Sequence, residues 1–100
     1  MDVNRALRNA AQTGKVVLGA KESLKAVEGK QAKLVVLAAN VPAAEAEKIT
    51  QTAEQNGVPV YRYTGLNTEL GPAAGKPFSV STLAVLDAGE SDVLALAKVK

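Results

Sequence analysis

The chain contains no cysteine and no histidine, and its aromatic residues amount to 3%. The missing cysteines exclude a disulfide framework and thiolate chemistry, and they agree with a reducing compartment. The missing histidines remove the usual acid or base of neutral pH. Ser79, Ser81 and Thr82 therefore lack the customary partner that would turn a hydroxyl into a nucleophile. With 47% hydrophobic residues and so few rings, the interior must be built from Ala, Val and Leu at close range, which favours thin layers. No apolar run approaches the ~20 residues of a membrane span. The opening MDVNRALRNAAQTGK has none of the three zones of a secretion signal. The expectation is a soluble, cytoplasmic protein with no membrane partner.

Other chemistries fail on spacing. Asp87, Glu90 and Asp92 gather three carboxylates, but without the ligand pattern and closing glutamate of a calcium loop. The stretch from Gly65 to Gly75 is rich in glycine yet matches neither a P-loop nor a dinucleotide fingerprint. No catalytic residue, metal or cofactor is expected.

One hundred residues suit one small domain, 1–100. A net charge of +2 does not by itself mark a nucleic-acid binder, but its distribution is uneven. Residues 1–33 hold Arg5, Arg8, Lys15, Lys21, Lys25, Lys30 and Lys33 against Asp2, Glu22 and Glu28, a net +4, so the remainder carries −2. A basic first third can supply phosphate contacts or simply be a solvated surface.

Periodicity sets the elements. Val3, Leu7 and Ala10 share one helical face, and Thr13-Gly14 stops that helix. A short β-branched run, Lys15 to Leu18, flows into Gly19, after which Ala20, Leu24 and Val27 resume helical spacing with Lys21 and Lys25 on another face. Leu34 to Ala38 shows no alternation, as in a strand covered on both sides. Pro42 is expected to open a third helix with an inward stripe of Pro42, Ala46, Ile49 and Ala53, stopped by Asn56-Gly57. Val60 to Tyr63 reads as a strand. Asn67 or Thr68 would cap a fourth helix that Pro72 kinks or restarts. Ser79 to Leu86 reads as the last strand, and Ser91 to Ala97 fits helix and strand equally. The alternation implies an α/β fold, a three-layer α/β/α sandwich with a mixed sheet of about four strands. Ligands of such sheets bind beyond the strand carboxyl ends, where Gly19, Asn40 and the loop after Tyr63 would converge.

Each of these positions has two readings. Gly19 either merely permits the turn, or it opens a helix end whose free N–H groups suit phosphate beside Lys21. Asn40 either caps the helix after it or reads a base edge with an amide that donates and accepts together. Phe78, the sole phenylalanine, is either core or, from its setting in Lys76-Pro77-Phe78-Ser79-Val80, the apolar tip of a surface loop.

Four segments stand in a familiar order: Gly19-Ala20-Lys21-Glu22-Ser23-Leu24-Lys25, Leu34 to Pro42 as LVVLAANVP, Gly57 to Tyr61, and GLNTELGPAAGKPFSVSTLAVLDAGESD from Gly65 to Asp92. Together they resemble the archaeal and eukaryotic large-subunit ribosomal protein thirty family, of the kink-turn RNA-binding superfamily, over nearly the whole chain. The resemblance implies a structural protein of the large ribosomal subunit that binds a kink-turn or similar internal loop of ribosomal RNA and is monomeric when free. It also assigns sites. Gly19, Lys21, Glu22 and Lys25 would face the bent backbone, Asn40 a base, and Phe78 with Val80 an extruded nucleotide. Asn67 and Glu69 match the family's N-x-E-L-G loop. Where some members carry a basic residue, this chain has Ser79. The rival expectations are a kink-turn protein of a guide-RNA or ribonuclease P particle, and a small nucleotide- or metabolite-binding α/β protein.

Overall fold

A computed structural model of the chain describes residues 3–89 together with Ser91 and Leu94. It contains helices α1 (Val3–Thr13), α2 (Ala20–Glu28), α3 (Ala43–Gln55) and α4 (Asn67–Ala73), with strands β1 (Lys15–Leu18), β2 (Leu34–Leu37), β3 (Val60–Arg62) and β4 (Thr82–Asp87). The sheet runs in the order β1-β4-β2-β3. β2 and β3 are parallel, and β4 lies antiparallel to both β1 and β2, so the sheet is mixed as expected.

The side-chain alternation of β2 divides the core. Leu34 and Val36 point to a cluster with Ala6, Leu7 and Ala10 of α1 and Leu70 of α4. Val35 and Leu37 point the other way, to Ala26 and Val27 of α2 and Ala46, Ile49 and Ala53 of α3. All four β2 residues are buried, which is why the run Leu34 to Leu37 has no polar member. Helices thus cover both faces, and the three-layer expectation holds. Small residues make the layers thin: α1 meets the sheet through two alanines and one leucine.

Several local expectations need correction. Pro42 is not part of the inward stripe of α3. It is exposed and precedes the helix as its N-cap, with φ −54° and ψ 138°, leaving Ala46, Ile49 and Ala53 to face the core. Pro72 does not restart α4: the helix runs unbroken from Asn67 to Ala73 with Pro72 inside it, and the missing donor forfeits only the bond to Thr68. Neither Asn67 nor Thr68 caps α4; Leu66 occupies that position without a side-chain cap. β4 begins at Thr82 rather than Ser79, since the Val80 N–H is spent on the Asn67 carbonyl (3.0 Å) instead of a neighbouring strand. The segment 91–97 lies largely outside the described residues.

At the end of the sheet away from the β2 carboxyl terminus, glycines allow close approach. A Cβ on Gly14 would lie 2.0 Å from the Asp87 carbonyl oxygen, and one on Gly89 2.4 Å from Thr13. Asp87 spends its carboxylate locally, accepting the Gly89 N–H at 2.8 Å. Among the described residues no cluster of carboxylates could hold a metal ion, and no helix is long and apolar enough to cross a membrane.

Candidate nucleic-acid interface

The carboxyl ends of β1, β2 and β3 and the entry to β4 lie at one rim, and backbone hydrogen bonds stitch them together. The Gly19 N–H donates to the Thr82 carbonyl (2.8 Å) and the Ala38 N–H to that of Ser81 (2.9 Å). The Ala39 N–H reaches the Gly65 carbonyl (2.8 Å), and Val80 is tied to Asn67 as described above. The turn at Gly19, the segment with Asn40, the loop with Asn67 and the loop with Phe78 therefore form one continuous surface, although Gly19 and Phe78 are 59 positions apart in the chain.

Gly19 adopts φ 92°, ψ 155°, a backbone conformation that side chains resist, and nothing lies within 4 Å of where its Cβ would be. The glycine is there for the turn, and the space above it is open. The first helical bond of α2 runs from the Ser23 N–H to the Gly19 carbonyl (3.0 Å), so the preceding N–H groups have no partner within the helix. No side chain caps this end. Lys21, Glu22 and Lys25 are all exposed; Lys21 follows the open, positive end of α2 directly, and Lys25 lies one turn further along, in the helix's last turn. Glu22 in the first turn also suits the helix dipole. Ser23 points the other way: it is fully buried, and its hydroxyl has no hydrogen-bond partner.

Asn40 does not cap α3. Its amide crosses instead to the start of α4: Nδ2 donates to Asn67 Oδ1 (2.9 Å), and Oδ1 accepts the Asn67 N–H (2.8 Å). One of the orphan donors at the α4 start is thus satisfied by a residue 27 positions away. Both asparagine side chains keep hydrogen-bonding capacity toward solvent.

Phe78 is 52% exposed, far from a core position. Leu66, at the mouth of α4, is 46% exposed and is, among the described residues, the other large apolar side chain left in water. Val80 departs from the expected ledge. It is only 4% exposed and packs in the α1–α4 core cluster, so it anchors the loop that carries Phe78. Gly71 supports the same loop from beneath, since a Cβ there would fall 1.8 Å from the Phe78 carbonyl oxygen. Below the rim, Thr82 is buried and donates its hydroxyl to Glu45 Oε2 (2.7 Å), fixing β4 to the first turn of α3.

Sequence reasoning missed Leu66 as an apolar rim residue and Asn67 as the partner of Asn40. An apolar residue between Gly65 and Asn67, in an otherwise polar turn, was the available signal for Leu66. A separate open cleft of about 700 Å³ lies between α1 and α4, lined by Asn4, Arg5, Arg8, Tyr63, Glu69 and Pro72 among others. The Tyr63 hydroxyl donates to Asn4 Oδ1 there (2.5 Å).

A family model described as "Ribosomal protein L7Ae/L30e/S12e/Gadd45 family" matches residues 1–95. The chain is 47% identical over 95 residues to the large ribosomal subunit protein eL30 of Methanosarcina mazei, covering 95% of this chain and 88% of that one. It is 45% identical over 100 residues to the eL30 of Methanocaldococcus jannaschii, covering all of this chain and 91% of that one. Among solved structures, a protein of unknown function from Bacillus halodurans superposes with a TM-score of 0.84 at 28% identity, over 97% of both chains.

Proposed function

Given that the chain belongs to the ribosomal protein L7Ae/L30e/S12e/Gadd45 family, we propose that it is a structural, non-catalytic component of the large ribosomal subunit, of the eL30 kind, that captures a kink-turn or similar bent internal loop of ribosomal RNA. It works in the cytoplasm, as part of the ribosome, and is monomeric when free. The observation that carries this reading is the rim itself: four loops bonded into one surface that presents an uncapped helix end, two lysines, an asparagine amide and an exposed phenylalanine. Those are the groups a sharply bent RNA needs. The open α2 end with Lys21, and Lys25 one turn along the helix, hold crowded phosphates, Asn40 meets a base edge, and Phe78 with Leu66 offers a ledge on which an unstacked base can lie. Glu22, exposed in the first turn of α2, would accept from a base amino group. Free RNA samples the bent form, and preferential binding to that form shifts the population.

Sedimentation of cell extract followed by RNA crosslinking tests this. The protein should travel with large subunits and crosslink through the 76–80 loop to one internal loop of ribosomal RNA. Crosslinks to a guide RNA or to ribonuclease P RNA would move it to another particle of the same superfamily. The cleft between α1 and α4 favours a second reading, a small-ligand protein. A thermal-shift series with nucleotides against a short kink-turn RNA separates the two, because only a ligand of the native state raises the melting temperature.

A further inference from the structure

We infer that Asn67 is a positioning residue for RNA recognition, a keystone that fixes the base-reading amide of Asn40 and the Phe78 loop in one geometry. The inference rests on the proposed RNA-binding role of the rim. Three polar groups of Asn67 face two different parts of that rim. Its side-chain oxygen accepts from Asn40 Nδ2 (2.9 Å), its N–H donates to Asn40 Oδ1 (2.8 Å), and its carbonyl accepts the Val80 N–H (3.0 Å), two residues beyond Phe78.

The first two bonds form a closed pair. An asparagine amide can rotate, and its two ends carry opposite hydrogen-bonding character, so an unconstrained Asn40 would present either a donor or an acceptor to a base. Asn67 removes that freedom, because its N–H can donate only to the oxygen end of Asn40 and its Oδ1 can accept only from the nitrogen end. One lone pair and one N–H of Asn40 remain for RNA, in a fixed order. Preorganisation of this kind contributes to specificity by lowering the ordering cost on binding. The pair lies on the exposed surface, so its effect on folding is small beside its effect on recognition.

The test uses the full chain, a kink-turn RNA, and a panel of single-base variants of its internal loop. The readout is the ratio of affinities for intact and altered RNA. Asn40→Ala identifies the position at which the ratio collapses. Asn67→Ala is expected to lower the ratio at that same position by roughly ten- to a hundredfold. The double variant should do no worse than either single one, as coupled residues require. Asn67→Asp, which keeps the acceptor and the N–H, should preserve the ratio even if its charge weakens binding to all RNAs alike. In the free protein, side-chain ¹⁵N relaxation should show the Asn40 amide ordered in the wild type and mobile in Asn67→Ala. An Asn67→Ala protein that keeps the wild-type ratio, or additive losses in the double variant, would overturn the inference while leaving the RNA-binding role intact. A wild type that shows no preference for kinked RNA would overturn both, and an unchanged Asn40 amide in the relaxation data would overturn the clamp without RNA.

Discussion

At the scale of single residues, Phe78 separates the account from its simplest rival. A core phenylalanine truncated to alanine costs ~3 to 5 kcal/mol of stability. At 52% exposure Phe78 cannot be supplying that much, so Phe78→Ala should leave chemical denaturation nearly unchanged and lower RNA affinity by ~1 to 3 kcal/mol, the worth of one stacked base. A large stability loss with undiminished affinity of the folded fraction would remove the loop from the interface. The two exposed lysines of α2 make a complementary claim about phosphates. Lys21→Ala and Lys25→Ala should each reduce the slope of log affinity against log salt by about 0.7 to 0.9. An unchanged slope in both would mean that neither touches the RNA backbone.

At the scale of elements, α4 and the C-terminus of α2 give predictions of opposite sign. Gly71 of α4 lies so close to the Phe78 carbonyl that an added methyl must displace the loop. Gly71→Ala should therefore cost ~1 to 3 kcal/mol of stability and weaken RNA binding at the same time. Loss of stability with unaltered binding would mean that the loop is not held by α4. The turn after α2 contains a defect that substitution can repair. Lys30 sits at φ 59°, a left-handed conformation that helix ends usually give to glycine, while its neighbour Gly29 has φ −81°. Lys30→Gly relieves ~1 to 2 kcal/mol of strain against ~0.4 to 1 kcal/mol of added chain entropy in the unfolded state. Denaturation should register a net gain of up to about 1.6 kcal/mol, and a loss would show that the lysine makes a compensating contact.

The same elements show what was legible in the sequence. The unbroken apolar run of β2, the helical spacing of Ala46, Ile49 and Ala53, and the Asn56-Gly57 stop report local backbone preferences and burial, which a linear pattern encodes directly. The Asn40–Asn67 pair does not, because it joins positions 27 apart and depends on where two loops come to rest. Val80 was misplaced for a related reason. The resemblance sets Val80 beside Phe78, but the ladder begins only at Thr82, and the Val80 N–H is bonded to the Asn67 carbonyl while its side chain is buried in the core. The exposure of Phe78 was suggested by its Lys-Pro and Ser neighbours, and the structure places it on the surface.

At the scale of the whole molecule, the central claim is that recognition comes from shape as well as charge. A net charge of +2 provides little general attraction for RNA, and the excess of cations lies in residues 1–33, which include the α2 rim. A protein binding by charge alone would treat all RNA helices alike, with a common salt dependence. The most direct test is a paired titration at physiological salt: a kink-turn RNA against a fully paired duplex of the same length. The account predicts that the kinked RNA binds tighter by roughly a hundredfold or more, toward the range by which specific nucleic-acid sites exceed non-specific ones. Equal affinities with a shared salt slope would contradict it.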